Sequence, residues 1–198
     1  MSQLAIGVDV AARRGCDVVA LGPTDVARPL GRVHTGDELR ALLTDLEPAV
    51  VAIDSPPAWA TAGRRSCERA LSARGISVFT TPDEATGTAK AFYAWMETGF
   101  AMFEAACAHP TLETFPHAVA VALRGRAPER GLLKRPAEKR QWRRAALEES
   151  GIDTSHLCSI DEIDAALCAV TGRWYLAGRT EALGDPDDGV LTVPLGLS

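Results

Sequence analysis

The chain reads as a single α/β fold: a mixed sheet in which an antiparallel three-strand meander is continued by parallel strands, with helices on both faces. Three observations predict it. Leu4 to Ala11 alternates with a period of two, placing Leu4, Ile6, Val8 and Val10 on one face and Ala5, Gly7, Asp9 and Ala11 on the other. Two strand-like runs follow across connections too short for anything but antiparallel pairing. A helical stretch then precedes a wholly apolar run, Ala49 to Ile53, as expected for a parallel strand in a sheet covered on both sides.

Each element has a local cause. Ala12 to Gly15 turns the chain into a strand from Cys16 to Leu21, and Gly22-Pro23-Thr24-Asp25 turns it again into Val26 to Val33, where Pro29 marks an edge. Thr35 and Glu38 form a capping box opening a helix to about Leu46, with Leu39, Leu42, Leu43 and Leu46 as its buried stripe. The apolar run ends at Asp54-Ser55-Pro56-Pro57, and a helix from Ser66 to Arg74 stops at Gly75.

Ser77 to Thr81 reads as a short strand, and Lys90 to Ala108 as a longer helix whose Phe92, Trp95, Met96, Phe100 and Phe103 belong to the core. Thr111 to Phe115 is a strand closed by Pro116, His117 to Leu123 a short helix, and Pro136 to Glu149 a helix stopped by Gly151. Ser159 and Glu162 make a second capping box for a helix to about Ala177, with Ile160, Ile163, Leu167, Val170 and Trp174 buried. Gly184 to Gly189 is a loop before a last strand-like run, Val190 to Leu195. No repeat or linker interrupts this order, so one domain over 1–198 is expected, with helical insertions near 60–110 and 117–150.

Composition narrows the classes. Apolar residues are 46% and charged residues 24%, the balance of a soluble globular protein. A basic, apolar leader and a membrane-length apolar run are both missing, so a cytoplasmic protein without a membrane partner is the expectation. The five cysteines stand singly, with no CxxC and no neighbouring histidine pair, which argues against a zinc site and a disulfide framework.

A net charge of −5 excludes a protein held to nucleic acid by charge alone. The distribution says more. Between Arg124 and Arg144 stand nine of the 21 Lys and Arg residues against two acids, Glu129 and Glu138, so that segment carries +7 and the remainder −12. It fits either a phosphate-contacting surface or a solvated arginine-rich helix face.

The acids point to chemistry. An unpartnered carboxylate in a strand as apolar as Leu4 to Ala11 is costly, so Asp9 needs a partner or an exposed strand end. If the apolar run pairs parallel with that strand, Asp9 and Asp54 project together from carboxyl ends, where open α/β sheets bind ligands. Asp164 lies beside the buried stripe of its helix, and Asp161 is one turn earlier on the same edge. Asp161 also sits in the first turn, where the helix dipole favours acids regardless of function. Acids crowded together repel, and a hard divalent cation such as Mg²⁺ relieves that repulsion. Metal ions in such a setting activate water against a phosphodiester.

Several motifs resemble one family. I-G-V-D-V-A at 6–11, A-I-D-S-P at 52–56, R-x-x-C-E-R-x-L at 64–71, E-T-F-P-H-A at 113–118 and D-A-A-L-C-A at 164–169 look like domain-of-unknown-function family 429, described as predicted nucleases of the RNase H-like superfamily. The order of elements is similar to the superfamily's resolvase-type members. The resemblance implies an RNase H-like fold and a nuclease using Mg²⁺ or Mn²⁺, with Asp9, Asp54, Asp161 and Asp164 as metal ligands. Where resolvases commonly carry Glu as the second acid, this chain has the shorter Asp54.

Glu113 is an additional catalytic candidate, either a ligand or substrate contact or a strand-end acid paired with an arginine. His117 is a candidate proton carrier, with a capping or surface role as its alternative. Arg64, Arg69, Lys134 and Lys139 are the basic residues expected nearest a phosphate, although Lys139 and Arg143, spaced i,i+4, also suit a solvated face. The expected partners are nucleic acid and, as an option, a second copy of the chain in a homodimer. The competing reading is a non-catalytic module that keeps the scaffold and binds nucleic acid or protein. A sugar-kinase-like phosphotransferase shares the strand, hairpin and acid theme, but 198 residues are few for its two domains.

Overall fold

The computed structural model describes residues 3–129 and 131–197. Its strands are β1 (Ala5–Asp9), β2 (Cys16–Leu21), β3 (Ala27–Val33), β4 (Val50–Asp54), β5 (Thr111–Glu113), β6 (Thr180–Asp185) and β7 (Gly189–Pro194). The helices are α1 (Gly36–Leu46), α2 (Ser66–Ala73), α3 (Glu84–Ala89), α4 (Ala94–Ala105), α5 (Pro116–Arg124), α6 (Pro136–Glu149) and α7 (Ile160–Leu176).

The strands form one sheet in the order β3-β2-β1-β4-β5-β7-β6. β1, β2 and β3 are the expected antiparallel meander, and β4, β5 and β7 continue it in parallel. β3 is an edge, as Pro29 implies, and its pairing with β2 slips by a bulge between Val18 and Val19.

Apolar side chains leave both faces of the sheet. On one, Ile6, Val8, Val18, Val51 and Ile53 pack with Leu39 and Leu43 of α1 and Met102 and Ala105 of α4. On the other, Val19, Leu21 and Leu191 pack with α5, α6 and α7. α7 lies directly on β1, β2 and β4 and is covered by α5 and α6, so every residue from Ile163 to Gly172 is buried. Full burial of its Ile163, Leu167 and Val170 contributes roughly 1.5–3 kcal/mol each.

Three expectations are corrected. Residues 77–81 form no strand. The helix expected over Lys90 to Ala108 is instead a 3₁₀ turn (Ala91–Tyr93) followed by α4, and Lys90, with extended backbone angles of φ −126° and ψ 114°, separates both from the preceding α3. Phe92, read as core, is 59% exposed. β6 was not expected as a strand: the run T-E-A-L-G-D buries only Leu183, and it forms the second edge through its hairpin with β7.

Candidate active site at the carboxyl ends of β1 and β4

The parallel register of β1 and β4 sets Asp9 opposite Asp54 at the last residue of each strand. Beyond Asp54 the chain leaves the sheet through Ser55-Pro56-Pro57, so neither carboxylate is covered by continuing strand. The approach of α7 has a single-residue cause. A Cβ placed on Gly7 would lie 1.9 Å from Ala165 O and 2.3 Å from Ala169 N, so only glycine lets the helix backbone rest on β1. The capping box starts that helix in register, with Glu162 N donating to Ser159 Oγ at 3.0 Å and Ser159 N donating to Glu162 Oε2 at 3.0 Å. Asp164 follows in the next turn, beside the strand-end acids.

The electrostatics register this crowding. Burial, then the neighbouring Asp54 and Asp164, push the Asp9 carboxyl well above its ordinary range. Burial and Asp164 raise Asp54 to about 8, opposed by Arg143. Burial likewise raises Asp164, against the pull of Arg143 and Lys139. Asp161 stands at the margin, bonded at 2.8 Å to the exposed Arg14, yet close enough to add to the rise at Asp9.

Asp54 and Asp164 open into a cavity of about 330 Å³, whose lining includes Arg65, Phe79, Trp95, Glu113, Phe115, Lys139 and Arg143. Glu113, from β5, receives both ends of one guanidinium: Arg65 Nη1 donates to Oε2 at 2.8 Å and Nη2 to Oε1 at 2.6 Å. Arg65 Nε also donates to Glu68 Oε1 at 3.0 Å, and that oxygen accepts from Thr81 N at 2.9 Å. Of the two roles open for Glu113, the arginine-paired one describes its contacts. The geometry leaves it in the cavity lining but satisfied.

Arg143 is a correction. It lies buried under α7 and donates to Asp164 Oδ2, away from any solvated face. Asp164 Oδ1 is buried without a partner. Lys139, one turn earlier on α6, lines the same cavity. The other basic candidates stand outside that lining: Arg64 donates to Ser72 Oγ at 2.6 Å, Arg69 lies 3.8 Å from Asp188, and Lys134 is exposed on a 3₁₀ turn. Arg130 of the basic segment is not among the described residues.

His117 is not the helix cap, which is Phe115, and it is half-buried. Its ring meets those of Phe115 and Trp142, each centroid 6.1 Å away, with Nδ1 buried and unpartnered. Burial, with Arg143 and Lys139 nearby, lowers it to about 4, so the imidazole is neutral at pH 7. Sequence reasoning missed Arg65 entirely, and the local pattern around Ser66 held no sign of its partner 48 residues away.

Whether a divalent cation suits these residues turns on their unmet charge. An orphaned carboxylate oxygen on Asp164 and two raised, mutually repelling acids are the donor set a hard cation satisfies. Among the described residues no three His, Cys, Asp or Glu side chains close into a cage. The fit is therefore to an ion held by one or two carboxylates and completed by water or phosphate oxygens, as Mg²⁺ prefers.

The comparisons agree on the scaffold. Residues 7–189 match the model of the family described as "Protein of unknown function (DUF429)", and the chain belongs to that family. No match emerges among curated proteins. RuvC of Thermus thermophilus, solved in complex with Holliday junction substrate, superposes with a TM-score of 0.52 at 16% identity, covering 88% of this chain and 96% of that one. A second Thermus thermophilus RuvC structure gives 0.44 at 18% identity over the same shares. The fold is thus RNase H-like. Among the described residues no helix is long and apolar enough to cross a membrane.

Proposed function

We propose that the protein is a metal-dependent nuclease hydrolysing phosphodiester bonds of DNA or RNA. One observation carries this reading: Asp9 and Asp54 stand in register at adjacent strand ends, and Asp164 joins them with an unpartnered oxygen. Asp9 and Asp54 would hold Mg²⁺ or Mn²⁺ together with water or phosphate oxygens, and Asp164 and, at the margin, Asp161 would add negative charge beside the ion without closing a cage around it. When bound, the ion supplies Lewis acidity toward water and the leaving oxygen. Arg143 and Lys139, side by side on α6, would bind the non-bridging phosphate oxygens, where guanidinium geometry favours paired contacts. Arg65 fixes the Glu113 carboxylate in the cavity lining and offsets its charge, which would weaken its repulsion of a phosphate. The fold likeness to a protein solved with a Holliday junction supports nucleic acid as the substrate class.

The test is cleavage of single-stranded, duplex and branched DNA and RNA with Mg²⁺ or Mn²⁺, beside Asp9→Asn and Asp54→Asn. Loss of activity by about 100-fold or more in either variant is expected. Activity that survives Asp9→Asn would refute the assignment.

A second reading has its own support. Arg143 already serves Asp164 as an internal counter-ion, an arrangement that also suits a non-catalytic nucleic-acid-binding or protein-binding module. It predicts binding without cleavage in any metal, undiminished by Asp9→Asn.

A further inference from the structure

The cavity that holds Asp54 and Asp164 has one wall unlike the rest. Phe79 and Trp95 line it, and Phe79 leads outward to Phe92, with ring centroids 5.8 Å apart. Phe92 meets Tyr93 at 5.0 Å, and Phe79 meets Trp95 at 6.4 Å. Phe79 is 61% exposed and Phe92 59%, the two most exposed large apolar side chains among the described residues. Leaving two phenyl rings in water forgoes the stabilisation their burial would give.

The rings are nonetheless held in place. Ile76, just before Phe79, is buried and its N donates to Leu71 O at 3.0 Å. Thr81, just after, donates to Glu68 Oε1 at 2.9 Å, and Pro82 O accepts from Ala60 N at 2.9 Å. In the helix that precedes Phe92, Gly87 of α3 packs against the Trp59 ring, which in turn meets Phe100 at 4.7 Å. A shelf of aromatic rings anchored on both sides is preorganised for a flat ligand, because little freedom remains to be lost on binding. Lys139 and Arg143 line the same cavity, so one ligand would carry both an aromatic plane and an anion.

We infer that Phe79, Phe92 and Trp95 form a stacking site for unpaired bases of a nucleic acid, whose adjoining phosphate enters the cavity between Lys139 and Asp54. This rests on the nuclease reading and makes it narrower: the substrate is single-stranded, or a duplex with a base splayed out next to the scissile bond. Any base has a π face, so the site selects strand state and not sequence. A perfect duplex keeps its bases stacked internally and offers nothing to the shelf.

The experiment uses the full chain carrying Asp54→Asn, so that binding is read without cleavage. The probes are a single strand, a blunt duplex and the same duplex with one unpaired 2-aminopurine, titrated by anisotropy and by base fluorescence. The unpaired probes are expected to bind at least about tenfold tighter than the blunt duplex, with the 2-aminopurine quenched by stacking. Phe79→Leu, with Phe92→Leu beside it, should abolish that preference and the quenching while duplex affinity stays the same, and Phe79→Trp should restore both. Leucine keeps the patch apolar, so its failure separates stacking from general stickiness.

Equal affinity for all probes, with binding still lost in Lys139→Ala, would overturn the shelf and leave the nuclease reading standing. No binding of any probe would overturn both. Self-association that depends on Phe79 and Phe92, seen by light scattering without any effect on the probes, would assign the rings to a second copy and overturn the stacking site.

Discussion

Gly7→Ala adds one methyl group at the point where the fold is tightest, and it is expected to cost about 2–3 kcal/mol of stability. The new Cβ would stand 1.9 Å from Ala165 O, where ordinary contact begins near 3.4 Å. Either α7 retreats along that line by about 1.5 Å or β1 bends as far, in an interior that does not compress. Overpacking against movable side chains typically costs 1–3 kcal/mol. Here both obstacles are helix backbone, which no rotamer change relieves, so the upper end applies. Lower unfolded-state entropy for alanine returns about 0.4–1 kcal/mol.

Urea unfolding followed by the fluorescence of the four tryptophans measures the loss, with an unchanged slope confirming that the two end states are the same. Gly22→Ala is the control. Its Cβ would meet only Leu4 Cδ1, at 3.9 Å, and should change stability by less than about 0.5 kcal/mol. Asp164 precedes the displaced Ala165, so cleavage should fall by about 100-fold as well, the scale of a 1 Å misplacement in an active site. A loss below about 1 kcal/mol would refute the claim that glycine is what lets α7 carry Asp164 to the strand ends.

Three further outcomes follow from the charges. Asp54 rises from 3.8 to about 8 on folding, so the folded chain binds its proton more tightly than the unfolded one. Its contribution is then complete at low pH and is lost as pH climbs from about 4 to about 8; Asp54→Asn should flatten that decline in metal-free urea titrations. Arg143→Ala leaves Asp164 buried without its counter-charge and should cost about 3–5 kcal/mol, with less lost as pH falls, because burial already raises the Asp164 carboxyl and makes it readier to take a proton. Mg²⁺ or Mn²⁺ should raise the melting temperature of the unsubstituted chain in proportion to the logarithm of its concentration, and the shift should vanish in Asp9→Asn.

The acids were legible because each is a local anomaly. A carboxylate among Ala5, Gly7 and Ala11 in a strand, or beside a buried helix stripe, contradicts its own neighbourhood and asks for a cause. The pairing of β1 with β4 was equally local, since turn lengths and one intervening helix leave few topologies. What escaped depends on how elements lie against one another. Phe92 falls on a helical period, but periodicity does not say that nothing covers it. β6 carries no alternation because it packs one leucine at a sheet edge.

The arginines escaped for a different reason. Arg143 sits among nine basic residues of the 124–144 segment and looks like all of them, so nothing marks it as the one that will be buried. Its partner is 21 positions away, and that of Arg65 is 48 away, pairs fixed only when α6 crosses α7 and α2 approaches β5. Seen as acids alone, the cavity looks hostile to a polyanion. With Arg65, Lys139 and Arg143 set against Asp54, Glu113 and Asp164 along its lining, three cations offset three acids. The sequence locates the cavity through its carboxylates and understates its charge, because the balancing cations arrive from helices that only the tertiary structure brings there.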